Sequence, residues 1–292
     1  MELRHLRYFV AVAEELHFGR AAARLHIAQP PLSQQIRNLE TELGVPLFQR
    51  TNRWVALTDA GQVFLEHARR VLGLVDQAVD ETQRTHRGER GRLAVGFVVS
   101  ATYDVLPRAI RAFRAVFPEV ELRLHRLASR EQLVALREEQ IQIGFLRPPV
   151  DDPQLVVEVV RRDELVVALP AAHRLSAKHD IAARELAGEE FVLSPRERSP
   201  GFHDQVVRMC QEAGFSPRIT QEVEIQTVLA LVAAGMGISV VPEPLRHLHT
   251  EGLVYRRLCG DRPTVDTVAA WRQANRSPVL HLFIERMRHA LG

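Results

Sequence analysis

The chain has 292 residues, of which 46% are hydrophobic and 25% charged, a balance that excludes fibrous and disordered classes and leaves room for two or three globular domains. A net charge of +2 and only two cysteines, Cys210 and Cys259, at no metal-ligand spacing exclude a disulfide scaffold and a zinc module. No apolar run approaches the roughly 20 residues that cross a bilayer, and the opening MELRHLRYF lacks the basic and apolar regions of a secretory signal, so the expected location is the cytoplasm.

Leu3, Leu6, Phe9, Val10 and Val12 form largely one helical stripe, interrupted at His17, Phe18 and Gly19. Arg20 to His26 (RAAARLH) reads as a short helix whose Ala21, Ala22 and Leu25 face inward, and Ile27 and Ala28 read as a turn. A third helix starts near Pro30 and Pro31, where fixed φ and a missing N–H are tolerated. It carries Leu32, Ile36, Leu39 and Leu43 inward, Ser33, Gln34, Arg37 and Asn38 outward, and Gly44 as its C-terminal stop. A short helix, a turn and a polar-faced helix make a helix-turn-helix. On the outward face, Gln and Asn suit adenine and Arg suits guanine.

Pro46, Leu47 and Phe48 return apolar residues to the core. Arg50-Thr51-Asn52-Arg53 reads as a turn before a strand over Trp54 to Leu57, which gives a wing with Arg50 and Arg53 near phosphate or a minor groove. Between Arg20 and Leu57 stand five arginines against two glutamates, the local positive charge that a phosphate footprint requires. On pattern alone a three-helix bundle with a polar surface remains the alternative.

From Thr58, a helix N-cap by type, no proline occurs up to Arg87. Phe64, Ala68, Val71, Val75 and Ala78 alternate steps of four and three, with Leu65, Leu72 and Val79 in a second row. That is a heptad stripe on a helix of about 30 residues, roughly 45 Å long. Such a helix either packs on its own domain or pairs with a second copy. Pairing presents two recognition helices to a pseudo-palindromic site in double-stranded DNA. Residues 88–92, with Gly88 and Gly91, read as a hinge.

Beyond Arg92, strand and helix patterns alternate twice: Leu93 to Phe145, then Asp163 through Val241 to Trp271 and a last helix over Val279 to Ala290. The alternation implies parallel sheets with helices on both faces, in two α/β lobes whose strand ends make a ligand cleft. At the first strand's end, Ser100, Ala101 and Thr102 offer hydroxyls and backbone N–H groups to an anion ahead of a helix. Ser129 is placed similarly, Arg147 after a strand can supply a cation, and Phe202 can cover a ligand. As single positions, these serines and threonines read equally as plain helix caps.

The block A-A-x-x-L, Q-P-x-L-S-x-Q-I and L-F-x-R…L-T-x-A-G over Met1 to Gly61 resembles the LysR-type transcriptional regulators. The resemblance implies base or backbone contacts along Gln29, Pro30, Pro31, Ser33 and Gln34 and at Arg37, with wing contacts at Arg50 and Arg53. Many members carry Arg where this chain has Gln34. The resemblance also implies an effector domain similar to type 2 periplasmic binding proteins, with crossover segments near residues 160–163 and 265–268. The GFVxSATYxxLP and VAAGxGxSxVPxP segments are similar to the acetoin-biosynthesis activator branch. In the muconate- and benzoate-responsive branch, the positions of Ser100, Ser129, Arg147 and Phe202 line the cleft.

The expected fold is therefore a two-lobed α/β effector domain behind an N-terminal all-α winged helix-turn-helix domain. The expected boundaries are 1–60 for the DNA-binding domain, 58–87 for the linker helix, 88–92 for the hinge and 93–292 for the effector domain. Within the last, 93–162 and 267–292 make one lobe and 163–266 the other. The expected function is sequence-specific regulation, as dimer or tetramer, by a small carboxylate, activating a nearby operon with RNA polymerase as a further partner. No cofactor, no metal, no membrane and no catalytic residue are expected, since G-x-S-x-G, G-x-x-x-x-G-K-[ST], H-E-x-x-H and C-x-x-C are all missing. The alternatives are a ligand-independent or repressing DNA-binding protein, and a small-molecule-binding protein or enzyme.

Overall fold

The computed structural model describes residues 1–51, 54–259 and 263–292, which fall into two units, Met1–Arg84 and Thr85–Gly292. In the first unit, α1 (Leu3–Glu15) buries Leu6, Phe9 and Val12. Helix α2 (Phe18–Arg24) starts earlier than its alanines alone imply. The His17 ring caps it, with Nδ1 accepting from the backbone N–H groups of Gly19 at 3.0 Å and Arg20 at 3.2 Å. It also ends earlier, because His26 takes the left-handed region at φ 54°.

Helix α3 (Gln29–Leu43) holds both prolines in its first turn, buries Leu32, Ile36 and Leu39, and stops at Gly44 with φ 72°. The wing is an antiparallel pair, β1 (Phe48–Arg50) and β2 (Val55–Leu57). Phe9 sits at the centre of this small core, 5.2 Å from the Phe48 ring and 4.9 Å from the Phe64 ring. Arg53, expected at the wing tip, lies outside the described residues.

Helix α4 (Asp59–His86) runs for 28 residues. Thr58 fixes its start: its hydroxyl accepts from Gly61 N–H at 2.9 Å and donates to the Pro46 carbonyl at 2.8 Å. Gly61 is required there, since a Cβ would lie 2.1 Å from the Leu47 carbonyl oxygen. The two readings of the heptad stripe divide along the helix. Phe64, Leu65, Ala68 and Leu72 pack on the winged core, whereas Val71, Leu74 and Val79 are exposed.

The second unit opens with β3 (Gly91–Phe97), a 3-10 turn at Val99–Tyr103, α5 (Val105–Arg114), β4 (Val120–Arg126), α6 (Ser129–Arg137) and β5 (Ile143–Leu146). The long β6 (Leu155–Pro170) leads to β7 (Asp180–Ala182), β8 (Glu190–Leu193), α7 (Pro200–Glu212), β9 (Arg218–Glu222), α8 (Ile225–Ala233) and β10 (Ser239–Pro242). Then come β11 (Leu253–Cys259), β12 (Thr264–Arg272) and α9 (Pro278–Leu291).

The alternating pattern pointed to parallel sheets, and the structure is mixed. Strand β3 pairs in parallel with β4 and β5, but β12 is antiparallel to both β5 and β6, and β6 is antiparallel to β10 and β11. Strands β6 and β12 run side by side in opposite directions, and β6 changes partners along its length. It pairs with β12 over Leu155–Glu164, then with β10 and β11 over Leu165–Pro170. This change of partner separates two lobes. One packs around Leu93, Val95, Phe113, Phe145 and Phe283, the other around Leu169, Phe191, Val206 and Ile238. Among the described residues, no helix is long and apolar enough to cross a membrane.

Candidate functional site

Two surfaces hold the residues singled out in the sequence, one in each unit. On α3, the buried row of Leu32, Ile36 and Leu39 turns the opposite face to solvent. Gln29, Pro30, Pro31, Gln34 and Arg37 are exposed and Ser33 is half-buried. Gln34 Nε2 donates to Asn38 Oδ1 at 2.9 Å, so the two amides stand together one turn apart. The Arg37 guanidinium has no hydrogen-bond or ion-pair partner among the described residues. The face thus offers an amide pair with unused donors and acceptors beside a free cation, the groups that read adenine and guanine edges.

Arg50 is placed differently from its expected role. Its guanidinium pairs with Glu40 and lies 4.9 Å over the Phe18 ring. Glu40 also accepts from the backbone N–H groups of Leu47 at 2.9 Å and Phe48 at 3.1 Å. A carboxylate drawn that far into the core needs a cation, and Arg50 supplies it. Arg50 therefore braces the wing against α3.

In the second unit a cavity of about 140 Å³ opens between the lobes. Val98, Ser100, Leu127 and Arg147 border it from one side, Ser199 and Phe202 from the other. Ser129 stands behind the wall, where its hydroxyl accepts from the Arg147 backbone N–H at 3.0 Å. Ala101 and Thr102 turn away. The 3-10 turn directs the Ala101 N–H to the Val98 carbonyl at 3.0 Å and the Thr102 hydroxyl to the Val99 carbonyl.

Arg147 is held by three acceptors within the protein. One terminal nitrogen, Nη2, donates to Ser100 Oγ at 2.7 Å and Asp163 Oδ2 at 3.1 Å, and Nη1 donates to the Val265 carbonyl at 3.3 Å. The side chains of Arg147 and Asp163 are 4% and 2% exposed, so the pair forms where an unpaired charge is most costly. Burial pulls the Arg147 pKa down, and the Asp163 charge and hydrogen bond oppose that. The expectation that Arg147 offers an open cation to a ligand is thereby revised. Asp163 was missed as its partner because the meeting depends on strand order, β5 and β6 flanking β12.

Two half-exposed arginines, which no sequence signal marks, lie at the cavity mouth. Arg198 Nη1 donates to Glu224 Oε1 at 2.5 Å and Nη2 to Glu131 Oε1 at 2.8 Å. Arg126 reaches Glu224 Oε2 at 3.5 Å and bonds Gln226. These bonds tie Arg126 and Glu131 of one lobe to Arg198, Glu224 and Gln226 of the other. Hydrogen bonding to Arg198 holds the Glu224 carboxyl below its usual range, and both arginine charges add to the effect.

Two family models match this chain: "Bacterial regulatory helix-turn-helix protein, lysR family" over residues 3–62, and "LysR substrate binding domain" over residues 86–292. The chain is 43% identical over 285 residues to the HTH-type transcriptional regulator AlsR of Bacillus subtilis, covering 97% of this chain and 94% of that one. It is 41% identical over 290 residues to the probable cat1 operon transcriptional activator of Acinetobacter lwoffii, covering 99% and 95%. The crystal structure of CbnR, a LysR family transcriptional regulator, superposes with a TM-score of 0.89 at 33% identity, covering 99% of this chain and 100% of that one. Full-length CbnR complexed with its target DNA gives 0.86 at 32% identity, covering 100% of each chain.

Proposed function

Since the chain belongs to the LysR family of bacterial regulators, and so binds DNA and carries an effector-binding domain, we propose that it activates a nearby metabolic operon in response to a small carboxylate. The DNA contacts of this proposal are Gln29, Pro30, Pro31, Ser33, Gln34 and Arg37 on α3, with Arg53 after β1 in the sequence. Arg50 acts there through its brace on Glu40. The observation that carries this half is the outward row of unsatisfied polar groups on α3, held rigidly by the buried row behind it. The relative solved on its target DNA supports the same reading.

The exposed Val71, Leu74 and Val79 along the middle and second half of α4 support pairing with a second copy. Paired effector domains would then give a tetramer that contacts two neighbouring half-sites and bends the DNA, at a cost of a few kcal/mol. The cleft supports ligand control, since Ser100 and Phe202 face each other across a cavity between lobes joined by β6 and β12. A carboxylate acts only through its different affinity for the open and closed lobes. Activation is supported by the similarity to the probable cat1 operon transcriptional activator, with RNA polymerase as the partner an activator requires.

The test is a gel-shift series on the promoter fragment beside the protein's own gene, with acetate, benzoate and cis,cis-muconate as probes. The expected result is retardation whose footprint one of these carboxylates changes, and a Ser100→Ala variant that keeps retardation and loses the change. Retardation that no carboxylate alters, with no rise in melting temperature, overturns the effector class.

A further inference from the structure

Building on the carboxylate-effector reading, we propose that Glu224 is a resident competitor for the effector: its carboxylate occupies the Arg126–Arg198 pair that the effector's carboxylate takes on binding.

The argument starts from the charges around the cavity. A carboxylate entering it needs a cation whose present partner can be exchanged. Arg147 is not one, because removing it from Asp163 leaves a carboxylate that is 2% exposed with only the half-exposed Arg161 as its counter-charge. Breaking such a buried pair lowers the population of the competent state by about a hundredfold to several thousandfold. The other cations on the cavity wall are Arg126 and Arg198, which approach it from opposite lobes. Both are bound to the same carboxylate, Glu224. Their side chains are 50% and 39% exposed and that of Glu224 is 49% exposed, so water screens each pair and exchange for another carboxylate costs about fivefold or less in affinity.

The position of Glu224 fits this role. It is the N-cap residue of α8 yet its side chain makes no capping hydrogen bond, and it is directed to the arginines instead. The positive ends of α7 and α8 reach the cavity wall through Ser199 and Glu224, so an anion that displaces this side chain keeps a favourable field. Displacement also breaks the Arg126–Glu224 tie between the lobes while the Arg198–Glu131 tie stands. The ligand thereby rewires an inter-lobe contact, which gives it differential affinity for two lobe arrangements. A neutral ligand of the same shape cannot drive the exchange.

The test titrates the full-length protein by calorimetry with acetate, benzoate and cis,cis-muconate, and with acetamide and benzamide as neutral probes. Wild type is compared with Glu224→Gln and with Glu131→Gln, whose carboxylate also pairs with Arg198 but does not border the cavity. The expected result is a carboxylate that binds Glu224→Gln about fivefold more tightly than wild type, with the amides and the Glu131→Gln variant unchanged. A carboxylate that binds both wild type and Glu224→Gln with equal affinity overturns this inference and leaves the carboxylate reading standing. Equal tightening in both variants assigns the effect to general loss of negative charge and also overturns it. Failure of every carboxylate to bind Glu224→Gln, where the arginine pair is vacated, overturns the inference and the carboxylate reading together.

Discussion

The outward face of α3 and the Arg147 cluster are both sets of polar side chains, and they use hydrogen-bonding capacity in opposite ways. On α3, the Arg37 guanidinium has no partner among the described residues and the Gln34 side chain bonds only Asn38. Around Arg147, the guanidinium binds Ser100, Asp163 and the Val265 carbonyl, and its backbone N–H binds Ser129. The difference follows from water. A face in solvent can leave charge unpaired until a polyanion arrives and releases counterions. A wall between two lobes must satisfy its charge internally before any ligand enters, or the lobe does not fold. Unsatisfied polar groups therefore mark the proposed reading surface, whereas in the cleft only the arginines at the mouth are half-exposed and screened by water.

The largest expected effect breaks the satisfied cluster. Asp163→Ala leaves Arg147 buried without its counter-charge and also removes the acceptor of Arg161 Nε at 3.1 Å. We expect the second unit to lose about 3–5 kcal/mol of stability, seen as an early unfolding transition in urea. A loss under about 1 kcal/mol would mean the Arg147 charge is solvated in solution, and the contrast between the two regions would collapse. An intermediate effect lies in the first unit. Thr58→Ala removes the hydroxyl that accepts from Gly61 N–H and donates to the Pro46 carbonyl, and denaturant unfolding should register a loss of about 1 kcal/mol. Its size between the other two is expected because a capping hydroxyl is satisfied but uncharged.

The legibility of these regions in the sequence follows the range of the interactions that build them. The steps of four, three and four in Leu32, Ile36, Leu39 and Leu43, the opening prolines and the closing Gly44 are local signals, and α3 forms where they place it. The His17 cap is equally local but leaves no sequence signal, because a histidine ring is an uncommon cap. Arg50 was misplaced because its partner, Glu40, lies on the preceding helix and becomes a neighbour only when the wing folds back. The antiparallel β12 pairings were hidden for a similar reason, since strand direction depends on topology while alternation depends only on burial. In the cleft, Ser100, Arg147 and Phe202 border one cavity, but Asp163 and Glu224 are set by contacts between distant segments. Hydrophobic spacing could supply the elements and could not supply the partners.

The smallest expected effect on stability falls on Gln34, and it tests the comparison from the other side. Gln34→Ala removes an exposed side chain and one i,i+4 amide contact worth about 0.2–0.5 kcal/mol, while alanine favours the helix. The two changes nearly cancel, so the unfolding midpoint should stay within about 0.5 kcal/mol of wild type. Binding should respond differently. An amide that reads one base contributes about 1–3 kcal/mol of discrimination at that base pair and nothing on unrelated sequence. Competition gel shifts should therefore show weaker binding to the promoter site, unchanged binding to random duplex, and relaxed preference at one position in each half-site. Equal weakening on every sequence would make Gln34 a backbone contact, and no weakening at all would place base reading on Ser33 or Arg37. Either result would still leave stability and recognition separable on α3, which the internally paired Arg147 cluster does not permit.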